Sequence, residues 1–551
     1  MIDDFGYNAG VNLAWHLTGA GFDKLGLFRL PKPKIKDDQL LVRQEVVTVC
    51  FSSVKEILDG NKHPRLQGRD LSKKPVVLGD EAFVVVEEVG RNLRSRFKEG
   101  EGYVVVPDLG TSAFGYDING GLQRLNVLEG RILDYLLPVD MGVINQLGMF
   151  AVTLSEPFSC IEKSYNLKYR KGIKESGTAL FVGVGKSEVT KAIEESHPKK
   201  ILVANCSIAL SELLRAHAAR EKIEFVRLES VADVIKMAET HALEIDDIIL
   251  FENESSKVSQ AVNFLTPHLA KGGILNIVGV PFPKGTQIPI DIGRIHYDDT
   301  LVVGTTGPDI SAAYSINTNY ELRASSTVVL IGAGGPMGQM HLLRALKSQQ
   351  PPAKIIAVDI DDNRLSKLNS LQQYAHRNAP KFGATPLILM NPNRQNIADV
   401  LDGDLIDYLV LLAPQASVIE DYAPYFAQDA IINVFAGLKG QKITLDAHLI
   451  CKKNLRVVGH SGTDVESQRT ALQKITDRTI ATGPVISAVG GMNAAWDAMW
   501  ATYMGTYPGK IALYLGIDFP LTEVSKITGG DVWSAEYERE LLSCQRIRVA
   551  D

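Results

Sequence analysis

A glycine-rich turn followed one strand later by a carboxylate is the most explicit chemistry in this 551-residue sequence. Gly332, Gly334, Gly335 and Gly338 lie in GAGGPMG directly after the apolar run TVVLI, and Asp359 closes the next apolar run, AKIIAVD. Glycines at such a place let backbone N–H groups approach a pyrophosphate at a helix N-terminus, and an acid ending the second strand receives ribose hydroxyls. Counted from Gly332, the loop is one residue longer than a strict GxGxxG. Met337 inside the loop and Arg364 beyond the acid join these residues in the candidate cofactor-binding set. The carboxylate favours NAD over NADP because it repels a 2′-phosphate. The alternative is a tight turn that binds nothing.

A second glycine turn occurs earlier and departs from that pattern. It reads Gly183-Val-Gly185-Lys-Ser-Glu188, and Asn205 stands where the ribose acid belongs. A carboxylate at Glu188 beside a pyrophosphate costs Coulomb energy unless it points away. Two readings stay open: a structural or dimerisation domain that has lost its ligand, or a second nucleotide site. The expectation is one NAD per chain, with a second only if this loop still binds.

The elements that must position these turns belong to an internal repeat. The stretch from Ile274, ILNIVGVPFPKGTQIPIDIGRIHYDDTLVVGTTGPD, parallels that from Ile431, IINVFAGLKGQKITLDAHLICKKNLRVVGHSGTD. Asn276 and Asn433 are 157 residues apart, and Asp291 and Asp446 are 155 apart after a two-residue gap. Upstream, TALFVGVGKSEVTKAI parallels TVVLIGAGGPMGQMHL, and KKILVANCSIALSELL parallels AKIIAVDIDDNRLSKL. Each unit opens with an apolar run, a glycine turn, a helix-like segment and a second apolar run, the βαβ order of a nucleotide-binding sheet. The flanks differ. Up to about residue 172, short β-like runs broken by glycine and proline indicate a β-rich, barrel-like domain. The region from about 466 to 516 reads as helix, strand, helix and closing strand, followed by a polar tail of 35 residues.

Composition bounds the class. Apolar residues make up 45% and charged residues 22%, as in a soluble globular protein, and the length calls for several domains. Fifty-eight basic against 64 acidic side chains give a formal net charge of −6; the basic clusters are short, so no nucleic-acid partner is expected. No apolar run approaches the roughly 20 residues of a membrane helix, and the acidic start MIDDFGYNAG does not read as a signal peptide. The five cysteines are odd in number, far apart and without a CxxC pair, which supports no disulfide framework. The expected setting is the cytoplasm, without membrane contact, with a small-molecule substrate.

Several segments carry a resemblance. VVTVCFSSVKEILDG, PVVLGDEAFVVVEEVG, FKEGEGYVVVPD, GGLQRLNVL and LSEPFSC, with the closing TGPVISAVGGMNAAWDAMWATYMGTYPGKIALYL, resemble the medium-chain alcohol and polyol dehydrogenases. The C-x-S-S-x-K spelling and GGMNAA look most like the sorbose-1-phosphate reductase branch. The resemblance covers nearly the whole chain except the first repeat unit, which that branch lacks, and the tail. It implies an α/β protein: a GroES-like β-rich catalytic domain plus two tandem Rossmann-like doubly wound domains. The expected division is 1–172 for the first part of the catalytic domain, 173–318 for a degenerate Rossmann-like domain, 319–465 for the NAD-binding one, and 466–551 for the segment that completes the catalytic domain, with the tail.

Carried over by position, the resemblance implies catalytic roles for Cys50, Ser52, Lys55 and Glu81, and a zinc site built from Cys50, Asp80, Glu81 and Glu156. Cys50 matches the zinc cysteine, Glu81 the acid of the Gly-His-Glu motif, and Glu156 the acid of the Glu-Pro motif. Ser52 falls where the family keeps a hydroxyl beside the reacting alcohol, and Lys55 where some members place a proton-relay histidine. The zinc histidine is replaced by Asp80. Oxygen of Asp80 can ligate zinc, but the set is harder and more anionic than the usual one. The cysteine lobe of a structural zinc is missing. Outside the resemblance, Cys50 reads first as a buried small hydrophobe, and Asp80 and Glu81 as surface-turn acids. His63 and His460 stand in suggestive regions, yet a solvated loop and a core position serve as well.

The implied reaction is hydride transfer between NAD and a polyol, sugar or sugar phosphate, with Ser52 receiving the hydroxyl proton. Lys55, Arg65 and Arg69 are candidates for a substrate phosphate. Two other classes fit less: an epimerase or internal redox enzyme with tightly bound NAD, and a nucleotide-responsive protein that has lost its metal. Monomer and homodimer are both compatible, and the tandem units are expected to supply within one chain the sheet-edge contact that family dimers make between two.

Overall fold

The computed structural model describes residues 10–548 except 184–192, 194, 253, 279–283, 308, 316–317, 349 and 379–384. Most of the expected Gly183–Glu188 turn, with Gly185 and Glu188, lies outside the described residues.

The two ends of the chain build one sheet. Its strands run in the order Thr522–Glu523, Ile486–Gly491, Lys510–Tyr514, Gln39–Thr48, Glu81–Val89, Gly102–Val105 and Leu136–Val139, with Leu125–Glu129 also paired to Gln39–Thr48. The join is antiparallel, with Ala512 opposite Thr48 and Tyr514 opposite Val46. Gln39–Thr48 and Glu81–Val89 are rich in valine and buried on both faces, so pairing and packing reinforce each other. Helix α1 (Phe51–Asp59) leaves the end of Gln39–Thr48, and α2 (Ser155–Tyr165) leads out of the sheet.

The repeat forms a single twelve-stranded sheet. In chain order its strands are β1 (Thr178–Val182), β2 (Lys200–Ala204), β3 (Glu224–Leu228), β4 (Ile245–Leu250), β5 (Leu269–Val278), β6 (Leu301–Thr305), β7 (Thr327–Ile331), β8 (Lys354–Val358), β9 (Leu387–Met390), β10 (Ile406–Leu411), β11 (Phe426–Val434) and β12 (Arg456–Gly459). Their spatial order is 3-2-1-4-5-6-12-11-10-7-8-9. Each half is parallel in the order 3-2-1-4-5-6, that of doubly wound nucleotide-binding sheets. The central strands are continuous apolar runs because helices cover both faces.

The halves meet edge to edge. β6 runs antiparallel to β12 at Val302 and Val457, and a two-stranded ribbon pairs Gln287–Asp291 with Lys442–Asp446, Ile288 opposite Leu445 and Ile290 opposite Ile443. Each unit thus closes the exposed edge of the other. The ribbon strands lead into two short helices, α3 (Ile292–Tyr297) in the first half and α5 (Ala447–Cys451) in the second. Between them in the chain, α4 (Pro336–Leu346) follows the second glycine turn.

One core cluster contains Phe158, Phe181, Met340, Val458 and Trp533 together, and so runs from the end sheet through both halves. The tail is anchored: α6 (Ala535–Arg548) brings Glu538, 3% exposed, to accept from the Met149 and Phe150 N–H groups (2.7 and 3.0 Å) and from the Tyr514 hydroxyl (2.9 Å). No helix among the described residues is long and apolar enough to cross a membrane.

Candidate active site

At the carboxyl edge of the second half, the glycine turn is shaped by three different constraints. Gly332 has φ +86°, and a Cβ there would stand 2.8 Å from the Ala413 nitrogen. A Cβ on Gly338 would fall 2.5 Å from Ala333 O, so α4 packs directly on the turn. A Cβ on Gly334 would meet Arg364 Cβ at 2.5 Å and Asp359 Oδ2 at 2.8 Å. Gly335 differs: its Cβ would meet only Gly332 O, at 3.7 Å. That open face, with Pro336 opening α4 behind it, is the shape an approaching phosphate requires.

Asp359 ends β8 and turns back onto the loop. Its Oδ2 accepts from Gly334 N at 2.9 Å and its Oδ1 from Asp361 N at 3.1 Å. Ile360 beside it is 72% exposed, an apolar side chain held in water next to the acid. Arg364 donates to Gly505 O at 2.9 Å and so fastens this edge to the end sheet. Met337 packs against the core. The sequence-derived cofactor set is thereby brought to one corner, and its donors and open glycine fit a dinucleotide. In the first half, Gly183 keeps its turn at φ +102° and Asn205 ends β2 at φ +53°.

The second cluster lies in the end sheet. Cys50 is the last residue before α1, and Ser52, Lys55 and Glu56 stand on that helix. Ser52 Oγ donates to Asp80 Oδ2 at 2.8 Å. Asp80 is 7% exposed, and its Oδ1 has no hydrogen-bond partner. Glu81, opposite Thr48 in the ladder, pairs with Lys510 Nζ at 2.5 Å and accepts from the Thr48 hydroxyl. Glu156 lies in the first turn of α2, with Cys160 Sγ one turn on, 3.8 Å from its Oε1.

Charge in this cluster is one-sided. Burial, then Asp80 and Glu81, push the Cys50 thiol well up; burial, then Glu81 and Asp80, do the same to Glu156. Burial and Glu81 raise Asp80 to about 6 despite the Ser52 hydrogen bond. Burial alone would lower the Lys510 ammonium, but Glu81 and Cys50 outweigh it and keep it charged.

The expected zinc ligands do not assemble. No group of three or more His, Cys, Asp or Glu side chains among the described residues is placed to hold a metal ion. The reason is visible at two members of the set. Glu81 is committed to Lys510 and Thr48, and Asp80 is held by Ser52. As placed, Cys50, Asp80, Glu81 and Glu156 form an anionic pocket with one buried ammonium at its side, and no step below passes through a metal.

Other expected residues find different employment. Arg69 donates to the carbonyls of Lys74, Pro75 and Asp117 and is structural, not a phosphate ligand. Arg65 pairs with Asp108 at 2.9 Å and lies over the Tyr116 ring. His63 stacks on Tyr116 and accepts from Arg65 N, a turn-capping role. His460, at the end of β12, is buried, and its Nε2 lies 3.0 Å from Cys160 O. A carbonyl only accepts, so Nε2 carries the proton; burial holds the ring neutral, lowered to about 3. This contact joins the carboxyl edge of the second half to the Cys50 cluster.

Sequence reasoning missed Lys510, Glu56 and Tyr116. Glu56 is fully buried with both oxygens unpartnered, and burial with the Asp80 charge raises it well above the usual range. Its signal was a glutamate on the inward face of α1, one turn beyond Ser52.

No protein-family model matches the chain. It is 27% identical over 343 residues to the uncharacterized protein YggP of Escherichia coli (strain K12), covering 56% of this chain and 78% of that protein. It is 26% identical over 333 residues to mannitol-1-phosphate 5-dehydrogenase of Aliivibrio fischeri, 54% and 76%, and 24% identical over 347 residues to L-sorbose 1-phosphate reductase of Klebsiella pneumoniae, 58% and 82%. Among solved structures, AibC aligns with a TM-score of 0.52 at 13% identity over 92% of this chain and 96% of that one. An alcohol dehydrogenase of E. coli CFT073 complexed with NADH aligns at 0.50 and 12%, over 92% and 100%. Two of these three relatives are thus named as oxidoreductases of a polyol phosphate and a sugar phosphate, and one of the fold neighbours is a dehydrogenase complexed with NADH.

Proposed function

We propose that this chain is an NAD-dependent oxidoreductase that transfers a hydride between NAD(H) and a secondary alcohol or ketone of a polyol, sugar or sugar phosphate. The site is the cleft between the carboxyl edge of the second half-sheet and the Cys50–Ser52–Asp80 cluster. Residues 319–465 form the dinucleotide domain, 173–318 its degenerate twin, and 1–172 with 466–551 a GroES-like catalytic domain.

The observation that carries this reading is Asp359, which follows β8 and accepts from Gly334 N of the glycine turn with one oxygen and from Asp361 N with the other, beside the open position at Gly335 in that turn. Its charge selects a ribose with a free 2′-hydroxyl, and Ile360 offers an apolar surface for a base. A nicotinamide dinucleotide bound there supplies or accepts the hydride. The protein's part is proton handling. Ser52 Oγ takes the proton of the reacting hydroxyl while its own proton moves to Asp80 Oδ2, 2.8 Å away. Lys510 places a positive charge beside the pocket that holds Asp80 near its titration range. The activities of the dehydrogenase and reductase relatives support a phosphorylated polyol or ketose as the substrate class.

The test is native mass spectrometry with NADH added to the full chain, together with Asp359→Ala. One equivalent bound by the wild type, and affinity lowered about 10- to 100-fold in the variant, is the expected result for loss of a charge-assisted hydrogen bond. An unaltered affinity in the variant would refute the assignment. Two equivalents on the wild type would place a nucleotide on the first half and favour the internal-redox chemistry.

A further inference from the structure

The first half does more than cover an edge, because its helix α3 lies on the loop after β11 of the second half. Gly293 of α3 packs backbone to backbone on the loop after β11: a Cβ there would stand 2.9 Å from Leu438 O and 3.0 Å from Gly440 N. Ile292 N donates to Gln441 O at 3.0 Å. On the other side of the seat, a Cβ on Gly437 would fall 2.4 Å from the Tyr297 hydroxyl and 3.3 Å from His296 Nε2. Two glycines, one from each half, thus allow α3 to lie directly on the carboxyl edge of β11.

The internal repeat supplies a control for what that seat requires. His296 corresponds to Cys451, and Val434 to Ile277. His296 Nδ1 lies 3.3 Å from Val434 O, and Cys451 Sγ lies 3.9 Å from Ile277 O. The same cross-contact is therefore made twice, once in each direction. At the first half's edge a buried cysteine and the exposed Lys452 suffice. At the second half's edge, where the glycine turn is intact, the same positions hold a histidine and a tyrosine. Packing alone does not demand this difference, since a thiol fills the equivalent place.

The orientation of the ring is chemical. Val434 O can only accept, so Nδ1 donates and Nε2 is left as an acceptor in the neutral ring. Nε2 and the Tyr297 hydroxyl converge over Gly437, and Tyr297 is 36% exposed. The Lys55 ammonium on α1 further disfavours protonation of His296, and protonation of His296 and of His460, just beyond β12, would oppose each other. An acceptor and a phenol side by side match a neutral hydroxyl better than an anion.

We propose that His296 and Tyr297 of the first half form a wall of the cleft served by the second half and select its substrate by hydrogen bonding to a hydroxyl of the carbon chain. This rests on the hydride-transfer reading above. The degenerate half is thereby a permanent donor of specificity residues.

The experiment uses the full chain with NAD⁺ as hydride acceptor and mannitol 1-phosphate as the alcohol, comparing wild type, His296→Ala, Tyr297→Phe and the repeat-related control Lys452→Ala. The expected result is a KM for mannitol 1-phosphate raised about fivefold or more in the first two variants, the effect of one lost hydrogen bond. Their kcat and NADH affinity stay within about twofold, and Lys452→Ala behaves as wild type. A readout independent of turnover is carbethoxylation of His296, followed by peptide mass spectrometry, which NADH with mannitol 1-phosphate should slow. Unchanged KM in both variants, or unprotected His296, overturns the inference while NADH binding stands. Absence of NADH binding by the wild type overturns the proposed function, and this inference with it.

Discussion

Lys510 and Glu81 are 429 positions apart in the chain and 2.5 Å apart in space, and both are almost wholly buried. The pair ties the closing strand Lys510–Tyr514 to the first residue of Glu81–Val89 across Gln39–Thr48, and it sets the charge of the pocket.

Removing one partner should be worse than removing both. Lys510→Met leaves a buried carboxylate without its cation and should cost about 3–5 kcal/mol of stability. Adding Glu81→Leu should restore most of that loss. Urea unfolding of the two variants checks it, and a double variant as unstable as the single one would contradict the pairing.

Ser52→Ala should lower kcat by about 10²- to 10⁴-fold, the usual weight of a positioned proton-transfer group. NADH affinity should stay at the wild-type value, because Ser52 lies in the Cys50 cluster and not in the glycine turn. Single-turnover kinetics with bound NADH isolates the step.

Chelation is the third test. Because Glu81 is engaged by Lys510 and Thr48, and Asp80 by Ser52, the protein is expected to carry less than one zinc per chain after purification and to keep its activity after dialysis against EDTA. Elemental analysis reads the first quantity. A full equivalent of zinc, whose removal abolishes turnover, would mean that the ion displaces Lys510 from the pocket.

The tail carries a pH dependence of definite sign. Burial raises Glu538 from 4.5 to about 7, against hydrogen bonds from Phe150 and Met149. The folded state therefore binds more protons than the unfolded one between pH 4.5 and 7, and this contribution to stability falls as pH rises through that window. Docking of α6, followed by the fluorescence of Trp533 as temperature is raised, should be firmer at pH 5 than at pH 7.5. Glu538→Gln should flatten the difference.

Local features were legible in the sequence and distant ones were not. GAGGPMG and Asp359 could be read because turn, helix and acid follow one another within 28 residues. The repeat could be read because it keeps register. The resemblance also pointed to Cys50, Asp80, Glu81 and Glu156, yet it could not show that Lys510 already occupies Glu81, since nothing in one strand announces its partner across the sheet. Arg69 illustrates the same limit from the other side: a cation in the right loop is consumed by three backbone carbonyls. Nothing in the sequence of the decayed unit singles out His296, because its place follows from α3 crossing onto the neighbouring half.

The join at Val302 and Val457 also changes how this assembly can vary. Two separate subunits that meet at a sheet edge obey mass action and come apart on dilution. Here the edges are covalently tethered, so their encounter is intramolecular and independent of protein concentration. A symmetric pair must further accept every substitution twice. In one continuous chain, a change at Glu188 or His296 occurs once, and each side of the pseudo-twofold is free to specialise on its own.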